Sequence, residues 1–173
     1  MQVAASADLS AQTLDDILAL CERAYGEDLR PSFLTFTDPT HVMAFADGAV
    51  LSHAMWVTRW LAPGASPPLR AAYVEAVATD PAYQGRGLAT EVMRVLVSRL
   101  SSFQLAALCP SDRGQSLYER LGWEPWRGPL FIRQERHLIE TPDEAVMIHR
   151  LPASPPLNLD DPLSAEWRPG ELW

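Results

Sequence analysis

Residues 80–87, Asp-Pro-Ala-Tyr-Gln-Gly-Arg-Gly, join a β-like run to the clearest helix in the chain. No other segment constrains the fold as much. Upstream, residues 70–79 read as a strand carrying one odd acid, Glu75. Downstream, Leu88, Val92, Val95, Leu96 and Leu100 recur at helical spacing over residues 87–100. Gly85 and Gly87 let the backbone between them turn tightly and point several N–H groups one way. The helix start adds unpaired N–H groups and the positive end of its dipole, and Arg86 adds a fixed charge. Such a turn suits a pyrophosphate; the alternative is a plain glycine turn before a helix. The lysine and hydroxyl of a Walker loop are missing. So is the third glycine of a dinucleotide fingerprint.

The rest of the chain supplies more strands and helices. Residues 9–25 are amphipathic, with Leu14, Ile17, Leu18 and Cys21 on one face and Ser10 or Thr13 as candidate cap. Residues 26–39 read as a loop with a short helix. Apolar runs 41–46 and 49–61 flank Asp47-Gly48, a strong hairpin signal. Residues 104–109 read as a buried strand, 113–121 as a helix stopped by Gly122, and 129–134 and 145–151 as strands. This order predicts an α/β (α+β) sandwich, a mixed, mostly antiparallel sheet flanked by helices. The 173 residues suit a single domain over 1–173. The proline-rich tail, 152–173, keeps Trp167 and Trp173 and is expected to fold back on the body.

Composition narrows the partners. A net charge of −8 argues against nucleic acid and anionic membranes and admits a cationic small molecule. No apolar run is long enough to span a bilayer, and the first ten residues lack the pattern of a signal peptide. Two cysteines and four scattered histidines make neither a disulfide framework nor a metal site, so no metal is expected. A reduced, cytoplasmic setting follows.

Val77-Ala78-Thr79-Asp80-Pro81 followed by Gln84-Gly85-Arg86-Gly87-Leu88-Ala89 resembles the acetyl-CoA signature of the GCN5-related (GNAT) N-acetyltransferases. Ser116-Leu117-Tyr118-Glu119-Arg120-Leu121-Gly122-Trp123 resembles the family's second signature, in the family's order and separation. Within that superfamily, residues 73–78, the 117–129 region, Thr141-Pro142-Asp143-Glu144 and the tail from Glu166 to Trp173 are similar to aminoglycoside 2′-N-acetyltransferases. The resemblance implies the GNAT fold and acetyl transfer from acetyl-CoA to a 2′-amine of an aminoglycoside, an antibiotic-resistance activity, in a homodimer.

It also implies roles. Val77, Ala78 and Thr79 would hold the pantetheine arm, and the backbone near Val77 would stabilise an oxyanion. Gln84, Gly85, Arg86, Gly87, Leu88 and Ala89 would hold the pyrophosphate. Glu75 would remove a proton through water, together with the terminal carboxylate of Trp173. Tyr118 would protonate the CoA sulfur. Period-2 alternation would set Glu75 on the same side as Tyr73 and Val77. The acceptor would meet Asp28, Glu75, Ala76, Cys109, Asp143, Glu144, Glu171 and Trp173. Glu144 and Glu171 stand where the family has aspartate, Cys109 stands where serine is usual, and residues 112–115 are less basic than in relatives. Cys109 reads equally well as a small buried strand residue. The competing expectations are another amine (a polyamine, a peptidoglycan amino sugar or a peptide) and a CoA-binding sensor without catalysis.

Overall fold

Ser10 starts the first long helix: its hydroxyl accepts the Thr13 N–H at 3.1 Å, and Gly26, left-handed at φ 78°, ends it. Between them α1 (Ala11–Tyr25) buries Ile17, Leu18, Leu20 and Cys21. The computed structural model describes residues 1–135, 137–170 and 172–173. The chain divides into two compact units, Met1–Val57 with Val74–Arg99, and Thr58–Tyr73 with Leu100–Trp173.

The first unit holds β1 (Gln2–Ala5), α1, α2 (Arg30–Phe33), β2 (Thr40–Ala46), the start of β3 (Ala49–Pro63), the end of β4 (Leu69–Thr79) and α3 (Leu88–Ser98). β1, β2 and β3 form an antiparallel ladder. Asp47 (φ 50°) and Gly48 (φ 81°) close the β2–β3 hairpin, both left-handed as a two-residue turn demands. Ile17, Leu20, Cys21, Met43, Val50 and Ala78 form its core, with Leu29 and Phe33 packed against them. Strand β1 was not expected from sequence, and Leu9, placed in the helix by periodicity, precedes the Ser10 cap.

The second unit holds the remainder of β3 and β4 with β5 (Leu105–Leu108), α4 (Gln115–Arg120), β6 (Glu124–Pro125), β7 (Leu130–Gln134), β8 (His137–Glu140), β9 (Met147–Arg150) and β10 (Leu163–Glu166). The strand order is β6-β9-β5-β4-β3-β10-β7-β8. β4 with β5 and β7 with β10 run parallel, while β5 with β9, β6 with β9, β7 with β8 and β3 with β10 run antiparallel. This is the mixed, mostly antiparallel sheet with helices that the order of elements predicts. Strands β6, β8 and β10 were not expected. β10 comes from the tail and lies between β3 and β7.

The tail is also held at its start. Arg127 and Gly128 both donate their N–H to the Leu159 carbonyl at 2.9 Å, and the Trp126 indole donates to the Asp161 carbonyl at 2.8 Å. The approach is so close that a Cβ on Gly128 would stand 2.0 Å from that Asp161 oxygen. Glycine is required there by space. No helix among the described residues is long and apolar enough to cross a membrane.

Candidate active site

In the first unit, the end of β4 leads into the glycine turn. Gly85 (φ 73°) and Gly87 (φ 82°) are both left-handed, and a Cβ on either would meet nothing within 4 Å. Conformation, not crowding, requires glycine here. Gly87 is the N-cap of α3 and, having no side chain, cannot satisfy the first N–H groups of the helix as a serine or aspartate cap would. The Arg86 guanidinium stacks on Tyr83 at 4.9 Å. Asp80 braces the entry, accepting the Ala82 N–H at 3.0 Å and pairing with Arg23 at 3.1 Å. The Gln84 amide donates to the Thr79 carbonyl at 3.2 Å and so folds the loop back on the strand.

Four successive carbonyls, those of residues 76–79, each accept from a side chain. His53 Nδ1 donates to Ala76 at 2.9 Å, the Tyr25 hydroxyl to Val77 at 3.0 Å, Ser52 Oγ to Ala78 at 3.1 Å, and Gln84 to Thr79. Ala76 is left-handed at φ 50°, rare for a residue with a Cβ. That kink corrects the period-2 expectation: the pleat does not run regularly from Glu75 to Val77. Glu75, Ala76, Val77 and Thr79 are half-buried and Ala78 is buried. Asp28 is exposed in this unit and accepts the Arg30 N–H at 2.9 Å, which starts α2.

The second unit gathers a second group. Tyr118 on α4 is buried against Trp123, with ring centroids 6.1 Å apart. Gly114 leaves its ring room, since a Cβ there would stand 2.9 Å from Tyr118 Cε2. Burial, and then the neighbouring Cys109, push the Tyr118 phenol up to about 12, so it keeps its proton through the neutral range. Cys109 is exposed just past β5, which removes the reading of it as a buried strand residue, and its sulfur lies 3.9 Å from Glu144 Oε2.

Trp173 is buried at 4% exposure, and its indole donates to Thr141 Oγ1 at 2.8 Å. The Thr141 carbonyl accepts the Glu144 N–H at 3.2 Å, closing the turn that carries Asp143 and Glu144. The structure therefore joins Trp173, the 141–144 turn and Cys109, three segments far apart in sequence. Glu171 lies outside the described residues.

Sequence reasoning missed the residue that seats the tail. Arg59 on β3 is 1% exposed. Its guanidinium donates to the carbonyls of Leu172 and Glu166, both at 2.6 Å, approaches the Glu166 carboxylate at 3.4 Å, and lies over the Tyr73 ring at 5.1 Å. Arg168 lies over the same ring at 5.6 Å. A lone cation in the apolar run 49–61 was the available signal, of the same kind that drew attention to Glu75.

Residues 7–126 match the family model described as an acetyltransferase (GNAT) domain. An aminoglycoside 2′-N-acetyltransferase of Mycolicibacterium fortuitum is 36% identical over 138 residues, 77% of this chain and 70% of that protein. The chain belongs to the GNAT acetyltransferase family. Solved structures share the fold. A GNAT family N-acetyltransferase from Escherichia coli in complex with CoA has a TM-score of 0.63 at 18% identity, covering 96% of this chain and 88% of that one. Eis1 from Mycobacterium abscessus has a TM-score of 0.60 at 17% identity, covering 71% of this chain and 31% of that one. The chain thus spans about a third of the Eis1 length.

Proposed function

We propose that this chain transfers an acetyl group from acetyl-CoA to the 2′-amine of an aminoglycoside, in the cytoplasm, as a homodimer conferring resistance. The observation that carries the acceptor is the joining of Trp173 to the acidic 141–144 turn in the second unit. It supports a carboxylate-lined wall suited to a polycationic sugar. The 36% likeness to the M. fortuitum enzyme points the same way.

The cradle fits the donor substrate. Two left-handed glycines, a helix start capped by glycine and Arg86 suit a pyrophosphate. Gln84, Gly85, Arg86, Gly87, Leu88 and Ala89 hold it, and the backbone of Val77, Ala78 and Thr79 holds the pantetheine arm. Bound acetyl-CoA supplies an activated thioester. The acceptor ammonium loses one proton before attack, a C–N bond forms, the C–S bond breaks, the sulfur gains a proton, and the nitrogen sheds a second proton that restores the Tyr118 phenol. Glu75 takes the amine proton through water, assisted by the terminal carboxylate of Trp173. The Val77 N–H faces the charge that develops on the thioester oxygen. Tyr118 gives its proton to the departing sulfur. Burial keeps the phenol protonated until the sulfur departs, so the proton is in place when the thiolate forms. Asp28, Ala76, Cys109, Asp143, Glu144 and Glu171 complete the acceptor side.

Free-thiol release from acetyl-CoA tests the reading. Tobramycin and gentamicin, which carry a 2′-amine, are expected to react. Kanamycin A, with a 2′-hydroxyl, is expected not to react at that position. Turnover of spermidine with no turnover of any aminoglycoside would overturn the acceptor assignment. Tight CoA binding with no turnover of any amine would favour a sensor.

A further inference from the structure

Two fully buried histidines in the first unit have no part in the chemistry above. His41 Nδ1 and His53 Nε2 stand 2.9 Å apart, Ser6 Oγ lies 2.6 Å from His41 Nε2, and His53 Nδ1 reaches the Ala76 carbonyl at 2.9 Å. Cys21 Sγ, 3.9 Å from His53 Nδ1, and the Phe33 ring, 6.5 Å from the His53 ring, stand beside the pair. Burial pushes His41 down to about 4. It pushes His53, which also faces His41, down to about 3. Cys21 is pushed up to about 12 by burial and then by Glu22, so its thiol is neutral.

At neutral pH both rings are uncharged, and each carries one N–H. A carbonyl can only accept, so His53 must hold its proton on Nδ1. Its Nε2 is then bare and accepts from His41 Nδ1–H. His41 Nε2 is bare in turn and accepts the Ser6 hydroxyl proton. One consistent set of tautomers remains, and every donor in it points toward Ala76.

The end of this chain matters because of peptide planarity. In a trans peptide the C=O of residue 76 and the N–H of residue 77 lie in one plane and point in opposite directions. Fixing the Ala76 oxygen toward His53 therefore fixes the Val77 N–H pointing away from it. The left-handed Ala76 costs about 1 kcal/mol or more, and it persists only where surrounding bonds over-determine it.

We propose that Ser6, His41 and His53 form a one-way hydrogen-bond relay that holds the Ala76 carbonyl and thereby aims the Val77 N–H at the thioester oxygen. The inference rests on the donor reading given above. The three are positioning residues: none of them touches the reacting atoms. The relay accounts for a pair of uncharged histidines in an apolar core, where aliphatic side chains would pack without desolvating four ring nitrogens.

Nitrogen-15 spectra of uniformly labelled wild-type protein at pH 7 read the relay directly. Both rings are expected to be neutral with the proton on Nδ1. A proton on Nε2 of either ring, or a charged ring, overturns the relay. Kinetics read its consequence. His53→Phe keeps a ring of similar size and removes both bonds. It is expected to lower kcat at least about tenfold, with the KM for acetyl-CoA within about threefold. Ser6→Ala, at the far end, is expected to lower kcat about two- to threefold, and it keeps the test open should His53→Phe fold poorly. Wild-type kcat in a folded His53→Phe protein overturns the proposal. If the wild-type protein acetylates no aminoglycoside, the acceptor assignment fails, while the ring spectra still decide the relay.

Discussion

Arg59→Met keeps an unbranched stem and removes the guanidinium from beneath the tail. Among the described residues, three bonds go with it, two to the carbonyls of Glu166 and Leu172 and one to the Glu166 carboxylate. A hydrogen bond from a charged donor contributes about 1.5–3 kcal/mol net. Both carbonyls belong to half-buried residues, so water can replace part of what is lost. Removing a buried cation also relieves its desolvation, an offset of several kcal/mol in the opposite direction. The loss that remains, roughly 1–3 kcal/mol, falls on the docking of the tail at Glu166 and Leu172. At 2 kcal/mol the tail opens about thirtyfold more often. Hydrogen exchange at the Trp167 amide reports this opening, since that N–H is bonded to the Arg133 carbonyl at 2.9 Å. Its exchange should accelerate by about that factor, and the KM for aminoglycoside should rise while acetyl-CoA binding holds. Arg59→Lys should fall between, because an ammonium lacks the planar fork that bridges both carbonyls. Unchanged Trp167 exchange together with an unchanged acceptor KM would refute the clamp.

Tyr118→Phe should lower turnover roughly 10- to 100-fold and leave acetyl-CoA affinity within about threefold, measured by thiol release and calorimetry. Gly128→Ala should destabilise by about 3 kcal/mol or more in urea unfolding, because its Cβ would stand 2.0 Å from a backbone oxygen with no flexible neighbour to yield. The histidine pair should make folding acid-sensitive. Its folded values, about 4 and about 3, lie below the ordinary 6.5, so the unfolded chain takes up protons first. That part of the stability is complete above pH 6.5 and is lost as pH falls toward 4 and then 3, several kcal/mol in all. Calorimetric melts from pH 7 to pH 4 should fall more steeply for wild type than for His53→Phe, and parallel curves would count against it.

Much of the fold was legible because its signals are local. Asp47-Gly48 announces a hairpin since both residues tolerate left-handed φ, and Ser10 announces a helix start through its hydroxyl. The glycine turn was legible for the same reason: Gly85 and Gly87 are needed where the backbone itself is unusual. Ala76 adopts an equally unusual conformation without glycine, and nothing in its identity says so. Its reason lies in His53, on another strand. Strand β8 was hidden because all four of its residues are exposed, which leaves no alternation to read. Strand β10 is four residues long, and its partners β3 and β7 are distant in sequence, so only packing reveals it. Arg59 and His53 were both visible as polar residues in the apolar run 49–61, but their partners were not.

The four carbonyls of residues 76–79 give the end of β4 an unusual vocabulary for change. Their directions are set from Tyr25 on α1, from Ser52 and His53 on β3 and from Gln84 in the turn. The donors all lie off the strand, and the strand's own Thr79 hydroxyl meets one of them, Ser52 Oγ, at 2.8 Å. Selection for a longer acyl donor, propionyl in place of acetyl, would therefore act first at positions 25, 52, 53 and 84. Each of these adjusts one peptide plane, so they should vary in homologues, while left-handed position 76 and buried position 78 stay at alanine or glycine.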